Sequence, residues 1–321
     1  MKLSERIDAL TELGNILHSI EPHDKNTLYR NASDYNAWFT PPQCDLALKG
    51  ILKFLVKDKL NGWVREYPVP ENARKVGVVM AGNIPLVGFH DLLSVLISGH
   101  HLAAKLSSQD TVLMRYVVEQ LVKVEPRFQE YITFVERLND VDAVIATGSD
   151  NTARYFEYYF RNKPHIIRKN RSSIAVLQGN ETDEQLVALG KDVFSYFGLG
   201  CRNVSKLIVP GGYDFSRILG LWETYRDVSN HHKYVNNYDY NKSILLLNRV
   251  PFLDNGFVLL TESSALVSPI SVVYHAHSAD LKSDKIQCVV SAEGLPFGKT
   301  QEPELTDYAD NVDTLKFLTA L

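Results

Sequence analysis

Hydrophobic residues change their spacing several times along this chain. Leu3, Ile7, Leu10, Leu13, Leu17 and Ile20 recur at helical intervals, so the chain opens with an amphipathic helix. Residues 21–40 are polar and aromatic and read as an ordered loop. Pro41-Pro42 starts a second helix whose buried face carries Leu46, Leu48, Ile51, Leu52 and Leu55. Residues 61–73 read as a turn and an extended crossing segment.

From Lys75 the pattern becomes short apolar runs alternating with amphipathic stretches. Lys75 to Ala81 (KVGVVMA) is a buried parallel strand by its continuous β-branched character. Gly82-Asn83-Ile84-Pro85 breaks it, and a helix follows from Val87 to Ile97. Leu102 to Leu106 is a second strand. Ser107-Ser108-Gln109-Asp110 can cap the next helix, Thr111 to Val124. Strands follow at Tyr131–Val135 and Ala143–Ala146, and Thr147-Gly148-Ser149-Asp150 opens another helix. After the basic stretch Ile167 to Arg171 the alternation restarts. It runs through a strand at Ser173–Leu177, a helix at Asp183–Phe197, a strand ending at Val209 and a helix at Asp214–Val228. Further strands are expected at Ser243–Leu247, Phe257–Leu260, Pro269–Tyr274 and Ile286–Ser291. The fold class is therefore α/β, with two doubly wound domains and a cleft between them. The expected division is 1–167, 168–300 and a C-terminal tail, 301–321, packing back on the first domain.

Length agrees with two domains, since the chain has 321 residues. A net charge of -4 gives no general attraction to nucleic acid or an anionic membrane. No apolar run is long enough to span a bilayer, and the amphipathic N-terminus soon meets acidic residues, so no signal peptide is expected. Cys44, Cys201 and Cys288 lie far apart without metal-ligand spacing, which fits a reducing, cytoplasmic setting. His231-His232 and His275-x-His277 lack a carboxylate or cysteine to complete a metal site. The aromatics crowded between Tyr155 and Phe160 read as core or interface.

One stretch carries more chemistry than its surroundings. In Gly198-Leu199-Gly200-Cys201-Arg202-Asn203, a cysteine is bracketed by glycines between a predicted helix and a predicted strand. The glycines permit close approach of a substrate to the backbone, and free N–H groups are expected around the thiol. Arg202 and Lys206 add positive charge, which favours thiolate. A nucleophile and a small apolar residue at a tight turn are both open readings of this local sequence.

Four stretches, in this order, resemble the aldehyde dehydrogenase superfamily. Gly82-Asn83-Ile84-Pro85 is similar to its Asn-Phe-Pro turn, and Leu102 to Ser108 (LAAKLSS) to its cofactor-binding strand end. Val141 to Ser149 (VDAVIATGS) resembles its Thr-Gly-Ser phosphate turn, and Gly198-Leu199-Gly200-Cys201 its Gly-Gln-x-Cys nucleophile turn. Within the superfamily the chain is most similar to the acyl-CoA reductases of the bacterial luminescence type, the LuxC-like family. The tail Phe297-Gly298-Lys299-Thr300-Gln301 and Asp307 to Thr314 supports that choice. The resemblance covers Lys75 to the end and is less clear in the first seventy residues.

The resemblance implies an NAD(P)H-dependent acyl-CoA reductase that forms an aldehyde through a thioacyl-enzyme. Cys201 would be the nucleophile, and the Asn83 amide would stabilise the oxyanion together with the Cys201 N–H. Lys105 would reach the adenosine ribose of the cofactor, and Gly148 and Ser149 would meet its pyrophosphate at a helix N-terminus. In the superfamily a glutamate three residues after the strand-end lysine repels a 2′-phosphate. Ser108 stands there, so NADPH is the expected cofactor, with NADH as the alternative. The expected partners are an acyl-CoA or other acyl-thioester and an acyl-transferring protein.

The chain also departs from the family pattern. Ala153 replaces a glycine of the phosphate turn, and Ala265-Leu266-Val267-Ser268-Pro269 stands where the family has Glu-x-Phe-Gly-Pro, with Glu262 displaced. The oligomerisation hairpin is short or missing, and a homodimer is the oligomer the resemblance allows. Ile167 takes the place of the general-base glutamate of hydrolytic members, and no acid lies between Pro164 and Gln178. Two further readings compete. One is a cysteine acyltransferase or thioesterase without hydride transfer, and the other is a non-catalytic scaffold with a dehydrogenase-like fold.

Overall fold

The computed structural model describes residues 1–321. It divides into two compact units, Met1–Asn170 with Pro303–Leu321, and Arg171–Glu302. No helix is long and apolar enough to cross a membrane.

The first unit begins with four helices, α1 (Leu3–His18), α2 (Pro22–Tyr35), α3 (Pro41–Phe54) and α4 (Lys57–Val64). Helix α2 corrects the loop expected at 21–40. Its turns bury only Tyr29 and Ala32, so its apolar periodicity is almost absent, and Pro22 at its first turn is the surviving local signal. Likewise, α4 occupies the start of the segment expected to be extended.

There follow β1 (Lys75–Val79), α5 (Phe89–Ser98), β2 (His101–Lys105), α6 (Val112–Val124), α7 (Phe128–Tyr131), β3 (Ile132–Phe134), β4 (Ala143–Thr147), α8 (Asp150–Phe160) and β5 (His165–Arg168). These strands form one sheet in the order β3-β2-β1-β4-β5, parallel throughout. The order reverses at β1, where connections leave to opposite sides, so the carboxyl ends of β1 and β4 flank the crevice such sheets use for ligands. Buried Val76, Val78, Ala103, Ala104, Val144 and Ile145 supply the continuous apolar runs that a sheet covered on both faces requires.

Strand β5 lies in the basic stretch that reads as a boundary in the sequence. Its Arg168 is buried, donating to Asp91 of α5 at 2.5 Å and to the Thr314 hydroxyl at 2.8 Å. Thr314 begins the C-terminal helix, Thr314–Thr319, which packs on α5. One ion pair thus ties a strand, a helix and the end of the chain within this unit.

The second unit runs through β6 (Ser172–Val176), α9 (Asp183–Phe194), β7 (Val204–Ile208), α10 (Phe215–Leu221), a 3-10 stretch Trp222–Asn230, α11 (His232–Leu247), β8 (Phe252–Asp254), β9 (Leu259–Glu262), β10 (Val272–Ala276) and β11 (Ile286–Val290). Its sheet order is β11-β6-β7-β10-β9-β8, parallel except for the edge strand β8. Helix α9 starts at a capping box in which Thr182 and Gln185 satisfy each other's backbone N–H. Its inner face, Phe194 included, meets Trp222, Phe257 and Leu207 in the core of this unit.

The strand expected at Ser243–Leu247 is instead the end of α11. Buried Tyr234, Tyr238 and Asn241 recur at helical spacing, and Leu246 and Leu247 are 59% and 79% exposed. An apolar run left in solvent is not a core strand.

Candidate functional site

Cys201 sits on the turn that joins α9 to β7, at the amino end of a central strand. The helix ends at Phe194, and a tight 3-10 turn follows at Ser195–Gly198. Tyr196, Phe197 and Gly198 are all left-handed, with φ of 51°, 56° and 80°. Only the glycine adopts that conformation without steric cost. The two aromatic residues are held in it by burial of their rings, with Phe197 against His231 and Tyr234.

Asn203 organises this turn. Its Oδ1 accepts from the Gly200 N–H at 2.8 Å, and its Nδ2 donates to the carbonyls of Asp192, Val193 and Ser195 at 3.0, 3.3 and 2.8 Å. One buried amide thus caps the carboxyl end of α9 and closes the cysteine turn. The Asn203 N–H donates to the Gly200 carbonyl at 3.0 Å and the Leu199 N–H to Tyr196 at 3.1 Å. The N–H groups of Leu199, Gly200 and Asn203 are therefore used inside the turn, where the sequence leads one to expect free donors. The Ser173 hydroxyl of β6 donates to the Cys201 carbonyl at 3.1 Å. Cys201 is half-buried, whereas Cys44 and Cys288 are buried, and none forms a disulfide.

The two cations near Cys201 in sequence have other tasks. Arg202 Nε donates to the Thr300 carbonyl at 2.7 Å. Lys206 is buried, its ammonium donates to the Ser264 and Ala265 carbonyls at 3.1 Å, and burial pushes its pKa down. Beside it, Ser205 donates to the Leu266 carbonyl at 2.8 Å. Lys206 and Ser205 therefore clasp the loop at Ser264, Ala265 and Leu266. Sequence reading missed the roles of Asn203, Ser205 and Lys206, because each acts on a segment it does not adjoin or through several backbone partners at once. Behind the turn a cavity of about 30 Å³ is lined by Phe197, Gly198, Ser205 and Tyr234. It has room for a water molecule and none for an acyl chain.

The remaining candidates lie in the first unit, at the carboxyl ends of adjacent strands. Asn83 is exposed on the loop after β1. Lys105 ends β2 and Ser108 is exposed on the loop after it, while Gly148 and Ser149 follow β4. The loops after β1 and β2 approach closely, since a Cβ on Gly82 would lie 2.5 Å from the Ser107 hydroxyl, while Gly148 packs on the helix it precedes, where a Cβ would lie 3.0 Å from Thr152. Ser149 caps α8, accepting from the Thr152 N–H at 3.2 Å. Asp150, in the first turn of α8, brings a carboxylate that accepts from the Asn170 N–H at 3.2 Å. That charge already complements the helix dipole and opposes an added anion there. The close-packed glycine turns at the neighbouring ends of β1 and β4 nonetheless fit a nucleotide's need to approach backbone.

Asp110 does not cap α6. That helix begins at Val112 after Thr111, without a side-chain cap, and Asp110 instead accepts from the Leu86 N–H at 2.6 Å. Ile167 lies in β5 and packs on the apolar cluster of Ala103, Val144 and Ala146. Tyr155, Tyr158 and Tyr159 are exposed, and Phe156 and Phe160 join the same cluster as Ile167. His231 and His232 stack, and no three His, Cys, Asp or Glu side chains converge as a metal site.

No protein-family model matches the chain, and no curated protein matches it in sequence. In structure it is similar to an aldehyde dehydrogenase of Bacillus cereus solved with NAD+, at 12% identity and a TM-score of 0.63 over 88% of this chain and 68% of that one. Similarity also extends to the indole-3-acetaldehyde dehydrogenase AldA of P. syringae, solved with NAD+ and IAA (12% identity, TM-score 0.69, 91% and 73% covered). A third is an NAD-dependent benzaldehyde dehydrogenase from Corynebacterium glutamicum (12%, 0.63, 87% and 72%). At such identities the likeness is one of fold: the chain has the α/β architecture of aldehyde dehydrogenases.

Proposed function

We propose that this chain is an NAD(P)H-dependent acyl-thioester reductase whose nucleophile is Cys201. The observation that carries the reading is the half-buried Cys201 on a turn closed by Asn203, in a chain with the aldehyde dehydrogenase fold. The missing acid between Pro164 and Gln178 favours reduction over hydrolysis.

In this reading the Cys201 thiolate attacks the thioester carbonyl carbon. A C–S bond forms, and the departing thiolate takes up a proton. The Asn83 amide and the Cys201 N–H stabilise the oxyanion, an interaction typically worth about 3–4 kcal/mol of barrier per donor. Lys105 and Ser108 would hold the adenosine ribose of the cofactor, and Gly148 and Ser149 its diphosphate. When bound, the nicotinamide supplies a hydride to the carbonyl carbon. The C–S bond then breaks, regenerating the Cys201 thiolate and releasing an aldehyde. The first unit is thus the nucleotide-binding part and the second the catalytic part.

The test is to incubate the protein with acyl-CoAs of graded chain length and NADPH, following loss of reduced-nicotinamide absorbance, aldehyde formation and the mass of the Cys201 peptide. Aldehyde formed with Cys201 acylated is the expected result. Acylation and turnover without cofactor oxidation would make the chain an acyltransferase or thioesterase. No acylation with any thioester would remove the enzymatic reading.

A further inference from the structure

The loop that presents Asn83 is pinned at both ends. At its start the buried Asn36 donates through Nδ2 to the Gly82 carbonyl at 3.3 Å. At its end Leu86 is left-handed, with φ of 58°, a conformation a branched side chain adopts only under constraint. Its N–H points to Asp110 Oδ2 at 2.6 Å. Between the two pins lie only Asn83, Ile84 and Pro85.

Asp110 is an unusual group to find there. It is 3% exposed, and its second carboxylate oxygen has no hydrogen-bond partner. No cation pairs with it, and the titratable group that faces it is the buried Cys44 thiol of α3. A buried carboxylate with one hydrogen bond and no counter-ion is costly, and such a group is retained where its one bond does something specific.

We propose that Asp110 is the positioning residue of the Asn83 turn: through the Leu86 N–H its buried carboxylate sets the backbone of residues 82–86, and with it the direction of the Asn83 amide. This deepens the reductase reading and rests on it for the role of Asn83, but the hold on the turn itself does not depend on that reading. Burial pushes the Asp110 pKa up to about 7. Above that pH the bond to Leu86 is charge-assisted, and below it the acceptor is a neutral acid and the bond is weaker. The turn is therefore held most firmly on the alkaline side of neutrality.

The experiment compares the wild type with Asp110→Ala and Asp110→Asn. Single-turnover acylation of Cys201 by an acyl-CoA is measured from pH 5.5 to 9 as a ratio to its alkylation by iodoacetamide at the same pH, so that ionisation of the thiol cancels, and hydrogen exchange is followed in peptides covering residues 82–88. Wild-type acylation should rise through an apparent pKa near 7. Asp110→Ala should lower acylation about 10²-fold, in line with loss of one oriented donor. It should also speed exchange in the turn at least tenfold, while alkylation of Cys201 by iodoacetamide stays within twofold. Asp110→Asn, whose amide oxygen can still accept from Leu86, should recover most of both losses and lack the limb near pH 7. A limb that persists in Asp110→Asn, or turn exchange in Asp110→Ala equal to wild type, overturns the proposal. If Asp110→Ala does not fold, the Asp110→Asn profile decides alone. If the wild type is not acylated at all, the reductase reading fails, and the exchange data still judge whether Asp110 holds the turn.

Discussion

The Gly200 N–H donates to the Asn203 side-chain oxygen at 2.8 Å, three residues along a turn whose middle is Cys201. The same side chain satisfies three carbonyls at the end of α9. Replacement by alanine leaves these buried groups unpaired, at about 1–3 kcal/mol for each group that water cannot reach. Asn203→Ala should therefore lower stability by about 3 kcal/mol in denaturant titrations and slow thioester acylation of Cys201. Asn203→Asp keeps the acceptor but faces three carbonyl oxygens with a carboxylate. Its loss should be larger at pH 8 than at pH 5, where the acid is protonated and can donate. Equal losses at the two pH values would mean that Asn203 does not face these carbonyls in solution.

Cysteine reactivity should be sharply divided. Burial, with smaller contributions from Asp110 and Asp45, pushes the Cys44 thiol up to about 12, so it is protonated throughout the neutral range. Cys288 is also buried. Limited iodoacetamide treatment at pH 8 should label Cys201 first by peptide mass. Cys201→Ala should abolish acylation and reduction, whereas Cys44→Ala and Cys288→Ala should keep both. Full activity of Cys201→Ala would end the nucleophile assignment.

Cofactor choice can be tested at Ser108. It is exposed on the loop after β2, near the strand-end Lys105. A hydroxyl can donate to a 2′-phosphate, and the lysine supplies countercharge. NADPH should be used at least as well as NADH, and Ser108→Glu should shift kcat/KM toward NADH by about tenfold or more, the equivalent of roughly 1.4 kcal/mol. Unchanged preference in that variant would place the ribose elsewhere.

Hydrolysis of the acyl-enzyme should be slow. Without a positioned base, attack by water loses a factor of about 10²–10⁴. A single turnover with acyl-CoA and no cofactor should leave the acyl group on Cys201 much longer than the reductive step takes. Because Ile167 packs on the first unit's core, Ile167→Glu should not create a hydrolase. It should destabilise the protein by about 2 kcal/mol or more through a carboxyl placed among apolar side chains. Rapid release of free acid from the wild type would reveal another base and refute the reductase assignment.

Asp110 predicts the sign of a pH effect on stability. Its folded pKa lies near 7, above the unfolded value, so the folded state binds the additional proton between about pH 4 and pH 7. Stability from this group is fully present below that window and is lost as pH rises through it, by an amount on the order of 4 kcal/mol. Denaturant midpoints for Asp110→Asn should lack this slope. A wild-type slope of the opposite sign, attributable to Asp110 by its loss in Asp110→Asn, would show that the carboxylate is better solvated than its burial indicates.

Much of the fold is legible because it rests on local physics. The β-branched runs at Lys75–Val79 and Ser172–Val176 can only be buried strands, and Thr182 with Gln185 writes the start of α9 into four residues. Cys201, Asn83, Gly148 and Ser149 stand out for the same reason, since each lies in a turn whose residue types announce it. What is not legible depends on partners distant in sequence. Helix α2 is too polar to show a period, and the run Ile244–Leu247 imitates a strand until its exposure is seen. The strand in the basic stretch is hidden because Arg168 is neutralised by Asp91, 77 residues away. By itself the sequence determined the alternation of strands and helices and the position of the glycine-bracketed cysteine. Only the tertiary structure decided that Asn203 and not a free backbone shapes that turn, that Lys206 clasps a loop, and that Asp110 reaches Leu86 instead of capping the helix that follows it. Hydrogen-bond partners of buried polar groups are chosen by the packing around them, and no local pattern of residues encodes that choice.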